Sequence, residues 1–556
     1  MNENPHASPR PPRWATWLLE RLAAPHLREE VLGDLEERFG RHWQRHSPGK
    51  ARLRFVLDLL TLLHPRLWRR KPDPYAYPST PPFYPAMLSH HLLLTYRTFL
   101  RFKGSFFINL VGLSTGLACT LLIYLWVHDE LRVDKFHAND SRLFQVAKRH
   151  EDNGGKRISV YDWTPGLLAE ALAAEMPEVE SAVSVVPYRG KPGILTIGNK
   201  HIRGREQYAD RHYFDMFSYR LLQGDPQRLL RDKYSVVLSD ELARKLFGRT
   251  DVVGKTVKWT KEKFTGTYLV AGVFEKLHHT TDPFDLVFPF ALYRTIKPEI
   301  DDWKWGDPST YVLLREGAGP AALNQKLGTY LQEKTGEKYQ SLFIRRYSDR
   351  YLYNNYENGV QAGGRIEYVR LFSIIAAFIL TIACINFMNL STAKASRRLK
   401  EIGIKKAIGA ARSTLLLQFL TESVLMAFFA LGVALVGAAL LLPGFNQITG
   451  KELSLHATPG LVLATLAITL LTGLLAGSYP ALYLSGFHPM AVLKGKLHAS
   501  GGEAWARKGL VVFQFTLSVI LIVSVVVVYE QVAYIQSKNL GYNRDNIITF
   551  KKEGRL

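Results

Sequence analysis

Five long stretches of the 556-residue sequence carry almost no charge, and they constrain the fold more than any other feature. A run of 18 or more apolar residues is typical of a transmembrane helix, because it matches the thickness of the hydrocarbon layer. Long polar regions separate these stretches and bring the mean hydropathy of the whole chain to only -0.05. The sequence therefore predicts five spans, at 106–127, 371–393, 419–442, 460–482 and 510–534.

Basic residues are concentrated beside alternate ends of these spans. Segment 1–105 has 17 Lys and Arg against 9 Asp and Glu, loop 391–418 has 7 against 1, and loop 485–508 has 4 against 1. Segment 128–367 is nearly balanced, with 36 against 33. Because Lys and Arg near span ends stay in the cytoplasm, we predict that the first three segments are cytoplasmic and that 128–367 is extracytoplasmic. Orientation and contact with anionic membrane lipid then explain the net charge of +22, and a nucleic-acid partner is not expected.

The predicted fold class is an α-helical multi-pass membrane protein with an α+β extracytoplasmic domain and a small helical cytoplasmic N-terminal domain. The α+β domain is expected from helical and β-rich patterns that share a segment long enough for its own core. The units, in chain order, are a helical prefix domain (1–70), a Pro-rich linker and pre-span segment (71–105), span 1 (106–127), the extracytoplasmic domain (128–367), a permease domain with spans 2–4 (371–484), a cytoplasmic loop (485–508) and span 5 (510–534).

Motifs for catalysis, cofactors or metals are weak in this sequence. Gly254-Lys255-Thr256 follows the nearest upstream glycine at the wrong spacing for a phosphate-binding loop, and a turn is the simpler interpretation. His278 and His279 precede Asp282 and Asp285, but no helical spacing brings two ligands to one face. The run Gly112-Leu-Ser-Thr-Gly116 has the G-x-S-x-G spacing, but it lies inside the predicted span 106–127 and not at a strand-to-helix turn, so no nucleophile elbow is expected. We therefore predict no catalytic residue, no cofactor and no metal site, and a chain that is not itself an enzyme.

Small and polar residues inside the spans predict contacts between helices. Glycines spaced four residues apart allow close helix approach in lipid, and the candidates are Gly112, Gly116, Gly473 and Gly477. Polar side chains in spans are costly and are often functional, and the candidates are Asn386, Asn389, Gln418 and Glu422. These lie near span ends rather than in a chain through the midplane. They favour hydrogen bonds between helices over an ion pathway.

The stretch 394–418 is basic and amphipathic, with apolar residues at roughly helical spacing. Two interpretations remain open from the residues alone. One is an interfacial helix that lies on anionic lipid. The other is a coupling helix that binds a protein partner.

The run SRRLKEIGIKKAIGA (396–410) resembles the signature that follows the second span in FtsX/MacB-type ABC transporter permeases. Asp129-Glu130-Leu131, Asp134 and His137 resemble the start of that family's external core domain. The stretch GSYPA (477–481) resembles the end of its fourth span. The opening of span 5 and its VFQF (512–515) resemble the second half of duplicated members, and the amino-terminal unit resembles their permease prefix domain.

The resemblance implies a permease subunit of the inner membrane that binds a separate cytosolic ABC ATPase. In this family the helix after the second span contacts the nucleotide-binding subunit. The coupling helix is expected at 396–411, and its matching residues are Arg398, Glu401, Ile402, Gly403, Lys406, Ala407 and Gly409. ATP would move the external domain, either for export or for mechanical transmission, and the cargo stays open.

The resemblance also implies a continuation beyond span 5, because duplicated members have a second external domain and three further spans. We therefore expect that the carboxyl half is truncated here. A second permease half or a homodimer would then take its place. Two other functions use similar parts. One is a transmembrane regulator of an envelope enzyme or sensor kinase, and the other is an ion-coupled transporter.

Overall fold

The computed structural model describes residues 14, 28–45, 48–62, 103–152, 157–262, 264–277, 279–393, 395–486 and 501–538. The chain forms two compact units, Met1–Leu88 and Ser89–Leu556. The helices, in chain order, are α1 (Arg28–Arg45), α2 (Pro48–Leu62), α3 (Lys103–Arg132), α4 (Leu168–Glu175), α5 (Tyr213–Met216), α6 (Asp240–Phe247), α7 (Phe290–Ile296), α8 (Pro320–Thr335), α9 (Arg365–Ala393), α10 (Ala395–Ala407), α11 (Arg412–Thr449), α12 (Pro459–Gly486) and α13 (Gly501–Ser537).

The first unit contains the helix pair α1 and α2. Leu35 and Phe39 of α1 are buried, as are Ala51 and Phe55 of α2. The rings of Phe39 and Phe55 lie 5.5 Å apart in an edge-to-face contact, a favourable aromatic geometry. Apolar residues at helical spacing thus form a small core between the two helices. The prolines predicted to stiffen the linker 71–105 lie outside the described residues.

Five helices among the described residues are long and apolar enough to cross a membrane, namely α3, α9, α11, α12 and the 507–537 part of α13. They contain the five predicted spans, which confirms a multi-pass helical protein. Several helices are longer than predicted. In particular, α11 starts at Arg412 and continues to Thr449, where Gly450 ends it in a left-handed conformation with φ +66°. The apolar pattern marks only the segment of the helix that crosses the hydrocarbon layer, and further helical turns extend the helix beyond this segment at both ends.

Helices α3, α9, α11 and α12 share one apolar core. Its side chains are short at many positions, including Ala383, Ala430 and Ala476. Small side chains let the helix backbones approach closely in a membrane, where packing replaces the hydrophobic effect as the driving force. Helix α13 is peripheral, because only 6% of its most apolar window is buried.

A mixed sheet, a separate two-stranded sheet formed by the last two strands, and flanking helices lie between α3 and α9 in the chain. The strands are β1 (Leu143–Asp152), β2 (Arg157–Tyr161), β3 (Val179–Val186), β4 (Gly193–Ile197), β5 (Lys200–Gly204), β6 (Glu206–Ala209), β7 (Leu221–Gln223), β8 (Ser235–Ser239), β9 (Thr256–Lys261), β10 (Phe264–Phe274), β11 (Leu286–Pro289), β12 (Ser309–Leu314), β13 (Gln340–Arg346), β14 (Tyr356–Glu357) and β15 (Val360–Gln361). This part is called the α+β domain below, and it confirms that prediction.

The main sheet has the strand order β13-β1-β12-β3-β6-β11-β8-β10-β9-β4-β5, with β2 and β7 paired to its sides. The β10–β8 and β11–β6 pairs are parallel, and the other pairs are antiparallel. Helices α4 and α8 cover the β13–β3 end, and α6 and α7 cover the β11–β5 end, each over its own apolar core. Between these ends lies an aromatic cluster that includes Phe217, Tyr219 and Tyr347.

Candidate functional site

Helix α10 connects α9 to α11 at the end of the bundle opposite the α+β domain. It ends at Ala407, before the predicted boundary of 411, because Gly409 adopts a left-handed conformation with φ +99°. The Gly409 N–H donates to the Lys406 carbonyl over 3.0 Å, and the Ala410 N–H donates to the Lys405 carbonyl over 3.0 Å. These bonds satisfy the last carbonyls of the helix, a common role of glycine at this position.

One face of α10 is anchored to the bundle. Ile402 is only 3% exposed and packs with Leu415, Phe419, Ala481 and Leu484, which belong to α11 and α12. Gly403 is also buried. The Lys406 ammonium donates to the Ser485 carbonyl over 2.7 Å. Two of the predicted coupling residues, Ile402 and Lys406, therefore hold α10 on the permease bundle.

The opposite side of α10 and the following turn are accessible. Glu401, Ala407 and Gly409 are exposed, and Glu401 forms an ion pair with Lys405 over 2.9 Å. Ile404 is 53% exposed and Ile408 is 82% exposed. Neither isoleucine was among the predicted coupling residues, although both lie within the family signature. Arg398 is in α10, but its side chain lies outside the described residues.

The four predicted packing glycines lie at close helix contacts. A Cβ on Gly116 would be 2.6 Å from Cβ of Ala383, and one on Gly112 would be 3.1 Å from Nδ2 of Asn386. A Cβ on Gly473 would be 2.7 Å from Cα of Val424. One on Gly477 would be 2.7 Å from Cβ of Ser423. Added side chains would therefore push α3 away from α9 and α12 away from α11.

Three of the four predicted polar residues of the spans lie at contacts with a neighbouring helix. Gln418 accepts a hydrogen bond from the Lys405 ammonium over 3.4 Å. The Asn389 amide donates to Gln514 of α13 over 3.5 Å. Asn386 lies beside Gly112, as described above, and Glu422 is on α11. For Gln418, Asn389 and Asn386, these contacts place the polar group beside a neighbouring helix.

A buried arginine joins the two connections between the α+β domain and the membrane helices. Arg350, which precedes α9, is 7% exposed and donates to Asp134 over 3.2 Å. It also donates to the Tyr311 hydroxyl over 2.8 Å and to Asp282 over 2.7 Å. Asp134 follows α3, is completely buried and has φ +59°. The Thr281 N–H donates to Asp134 over 3.0 Å. Burial would oppose the guanidinium charge, but the tyrosines and carboxylates around it raise the pKa of Arg350 further, so the group is always charged.

A second polar group lies next to it, at the end of α3. Lys451, in the loop between α11 and α12, contacts Asp129 over 2.6 Å and Glu130 over 2.7 Å. Asp129 also pairs with His279 over 3.0 Å. The Tyr351 hydroxyl donates to Glu130 over 3.1 Å. We call the whole set the junction cluster, which consists of Asp129, Glu130, Asp134, His279, Thr281, Asp282, Arg350, Tyr351, Arg365 and Lys451.

The junction cluster also explains side chains that resembled a metal site in the sequence. His279 pairs with Asp129, Asp282 with Arg350, and Asp285 with Arg205 over 3.0 Å. Among the described residues, no group of three or more His, Cys, Asp and Glu could hold a metal ion. His278 lies outside them. The Gly254-Lys255-Thr256 motif lies in a turn that leads into β9, with φ +84° at the glycine.

The sequence drew attention to Asp129, Glu130 and Asp134 through the family motif, but it did not identify their partners. Lys451 is 322 residues from Asp129 and lies in a short loop with one basic and one acidic residue. The available signal was a pair of carboxylates at the end of an apolar helix, which need compensating charge wherever they are buried.

The structure defines a class of protein: a multi-pass membrane protein with an α+β domain inserted between its first and second spans and a short helix connecting the second and third. Two family models match the chain in agreement with this architecture. Residues 106–330 match the MacB-like periplasmic core domain, and residues 373–489 match the FtsX-like permease C-terminal domain. A MacB-like core domain is therefore followed by an FtsX-like permease domain, and the resemblance of these two regions to FtsX/MacB-type permeases is confirmed.

Curated relatives support the same assignment. The macrolide export ATP-binding/permease protein MacB of Neisseria gonorrhoeae (strain ATCC 700825 / FA 1090) is 26% identical over 319 residues, which are 56% of this chain and 46% of the relative. The protein of the same name from Aggregatibacter actinomycetemcomitans is 31% identical over 258 residues, or 45% of this chain and 37% of the relative. The chain spans about half the length of the curated relatives it matches.

Two solved structures are similar to a little over a third of this chain. One is the periplasmic region of MacB from Actinobacillus actinomycetemcomitans, with 20% identity, a TM-score of 0.28, and coverage of 37% of this chain and 89% of that one. Another is the extracellular domain of the ABC-type transporter YknZ from Gram-positive bacteria, with 15% identity, a TM-score of 0.28, and coverage of 36% and 99%.

Proposed function

We propose that this chain is the permease subunit of an ABC transporter system of the inner membrane. It couples ATP hydrolysis by a separate cytosolic ATPase to movement of its α+β domain, either for export or for mechanical transmission. The two matching family models support the permease role. The distribution of Lys and Arg supports an orientation with the amino terminus and α10 in the cytoplasm and 128–367 in the periplasm.

The observation that carries this proposal is the two-sided environment of α10. Ile402 is buried against the bundle. Ile404 of the same helix and Ile408, directly after it, are exposed, and α10 also carries several basic residues. A helix that merely lay on lipid would direct its apolar residues to one surface. Here one isoleucine anchors the helix and two others remain available, which fits a helix that transmits movement from a docked partner into α11 and α12.

The arrangement at the other end of the bundle also supports mechanical coupling. The junction cluster joins the α+β domain to α3, α9 and the loop after α11 through buried ion pairs. Such contacts resist independent movement of the joined parts, because separating a buried pair leaves charges without compensation. The bundle and the α+β domain are therefore able to move together.

Crosslinking in native membranes tests the proposed partner. A cysteine replaces Ile408 in a full-length chain in which Cys119 and Cys384 are exchanged for serine. A matched control carries the cysteine at Val360, which is 69% exposed in the α+β domain. We expect a crosslinked band that contains a P-loop ATPase with Ile408→Cys but not with Val360→Cys. Equal capture at both positions, or no ATPase with Ile408→Cys in a well-expressed protein, would contradict the proposal.

A further inference from the structure

Lys451 is held rigidly at the end of α11. The helix ends at Thr449, directly before the left-handed Gly450, and the Lys451 N–H donates to the Asn446 carbonyl over 3.2 Å. The Asn446 side chain forms two hydrogen bonds with the backbone of Leu453. It donates to the Leu453 carbonyl over 2.9 Å and accepts from the Leu453 N–H over 3.1 Å. Any movement of the last turn of α11 therefore carries the Lys451 backbone with it.

The Lys451 ammonium bridges two carboxylates at the end of α3. Its side chain is 20% exposed, whereas those of Asp129 and Glu130 are 12% and 2% exposed. Burial by itself would lower the pKa of Lys451, but the hydrogen bonds that its ammonium donates to Asp129 and Glu130 outweigh this effect and raise the pKa. The lysine is therefore charged at physiological pH and lies closer to Glu130 than the other cation near it, Arg365, which is 3.9 Å away.

The same two carboxylates contact the α+β domain. Glu130 accepts from the Tyr351 hydroxyl, which in turn accepts from Arg365 over 3.0 Å. Asp129 pairs with His279, and the His279 carbonyl accepts from the Asp134 N–H over 3.0 Å. Lys451 thus completes a polar connection that runs from α11 through the end of α3 to the segments on which the α+β domain is mounted.

We propose that Lys451 is a force-transmitting residue, which locks the end of α11 to Asp129 and Glu130 so that movement of the bundle is passed to the α+β domain. This inference rests on the proposed function, because it assumes an ATP-driven movement. It adds a specific contact, located at the end of the bundle opposite α10. Loss of the contact should therefore separate movement of the α+β domain from ATP hydrolysis.

The test uses the full-length chain in lipid nanodiscs with the ATPase subunit captured by crosslinking. Spin labels are placed at Val360 in the α+β domain and at Ile448 in the last turn of α11, which are 69% and 86% exposed. Cys119 and Cys384 are replaced. Distances between the labels are measured without nucleotide and with trapped ATP, and ATPase activity is measured on the same samples.

We expect Lys451→Met to retain ATPase stimulation within twofold of the unmodified chain and to lose more than half of the ATP-dependent distance change. Lys451→Arg should retain the change, because it keeps the charge. Glu452→Gln, an exposed neighbour in the same loop, is the matched control. Asp129→Asn removes one of the two carboxylates and should give an intermediate loss, which keeps the test decisive if Lys451→Met fails to fold.

Three results would overturn the inference. An unchanged distance shift in Lys451→Met or in Asp129→Asn would show that the contact transmits nothing. Loss of ATPase stimulation together with the shift would show that Lys451 acts on the ATPase side. In both cases the unmodified chain still moves and the proposed function stands. A chain that neither stimulates the ATPase nor moves with ATP would overturn the proposed function and this inference together.

Discussion

Replacement of Arg350 by methionine tests whether the junction cluster holds the base of the α+β domain. Methionine is similar in length but carries no charge, so the substitution leaves Asp134 buried without a cation. Breaking a buried ion pair by removing one partner typically costs about 3–5 kcal/mol. Most of this should come from Asp134, which is 0% exposed, because Asp282 is 38% exposed and can be solvated.

The expected effect on melting follows from this energy. For a domain of roughly 150–250 residues, each kcal/mol corresponds to about 2–4 °C in Tm. Arg350→Met should therefore lower the melting temperature of the α+β domain by about 6–20 °C. Arg228→Met is the matched control, since Arg228 is 84% exposed and pairs with nearby Asp225 over 3.4 Å. It should shift Tm by at most about 2–4 °C, in line with a surface pair worth at most about 1 kcal/mol.

Intrinsic tryptophan fluorescence during heating of the detergent-solubilised chain measures both variants. The double variant Arg350→Met with Asp134→Asn should recover part of the loss, because it removes the uncompensated carboxylate as well. A decrease below 2 °C for Arg350→Met would refute the argument that this pair stabilises the base of the domain. If the loss of Tm in the double variant exceeds the sum of the losses in the two single variants, the assignment of the cost to Asp134 is refuted.

Three further predictions address packing, pH and coupling. Gly116→Ala should destabilise the helix bundle by about 1–3 kcal/mol, because the new Cβ would meet Ala383 on α9. The control Gly432→Ala should be nearly neutral, because a Cβ at Gly432 would face open space. Resistance to unfolding in SDS compares the two variants, and equal resistance would count against close packing at Gly116. Burial lowers the pKa of His137 to about 4, so the unfolded chain binds a proton that the folded chain excludes as pH falls from 6.5 to 4. Stability should fall by up to about 3 kcal/mol over that interval, and His137→Gln should flatten this dependence in melting curves; an unchanged slope would rule out His137 as its source. Glu401→Lys should abolish ATPase stimulation without affecting membrane insertion, because Glu401 is on the exposed side of α10. Assays of ATPase stimulation on purified complexes test this prediction, and full stimulation by the variant would argue against coupling through the exposed side of α10.

The helices of the candidate site were predictable, but their orientation was not. The pattern in 394–418 predicted a helix after the second span, and α10 is present there. Ile402, Ile404 and Ile408 are equally apolar, so composition could not tell which of them faces the bundle. The glycine-rich contacts were easier to predict, because a residue without a side chain at a fixed helical spacing has few other uses in a span.

The sequence by itself determined the spans and the presence of an α+β domain between the first two. These features depend on local patterns, since a lipid layer requires a long apolar run whatever surrounds it. Only the tertiary structure decided that Ile402 anchors α10 and that Lys451 meets Asp129 and Glu130. Such contacts join residues that are distant in the chain, and they form because buried charges and apolar side chains must find partners in three dimensions rather than along the sequence.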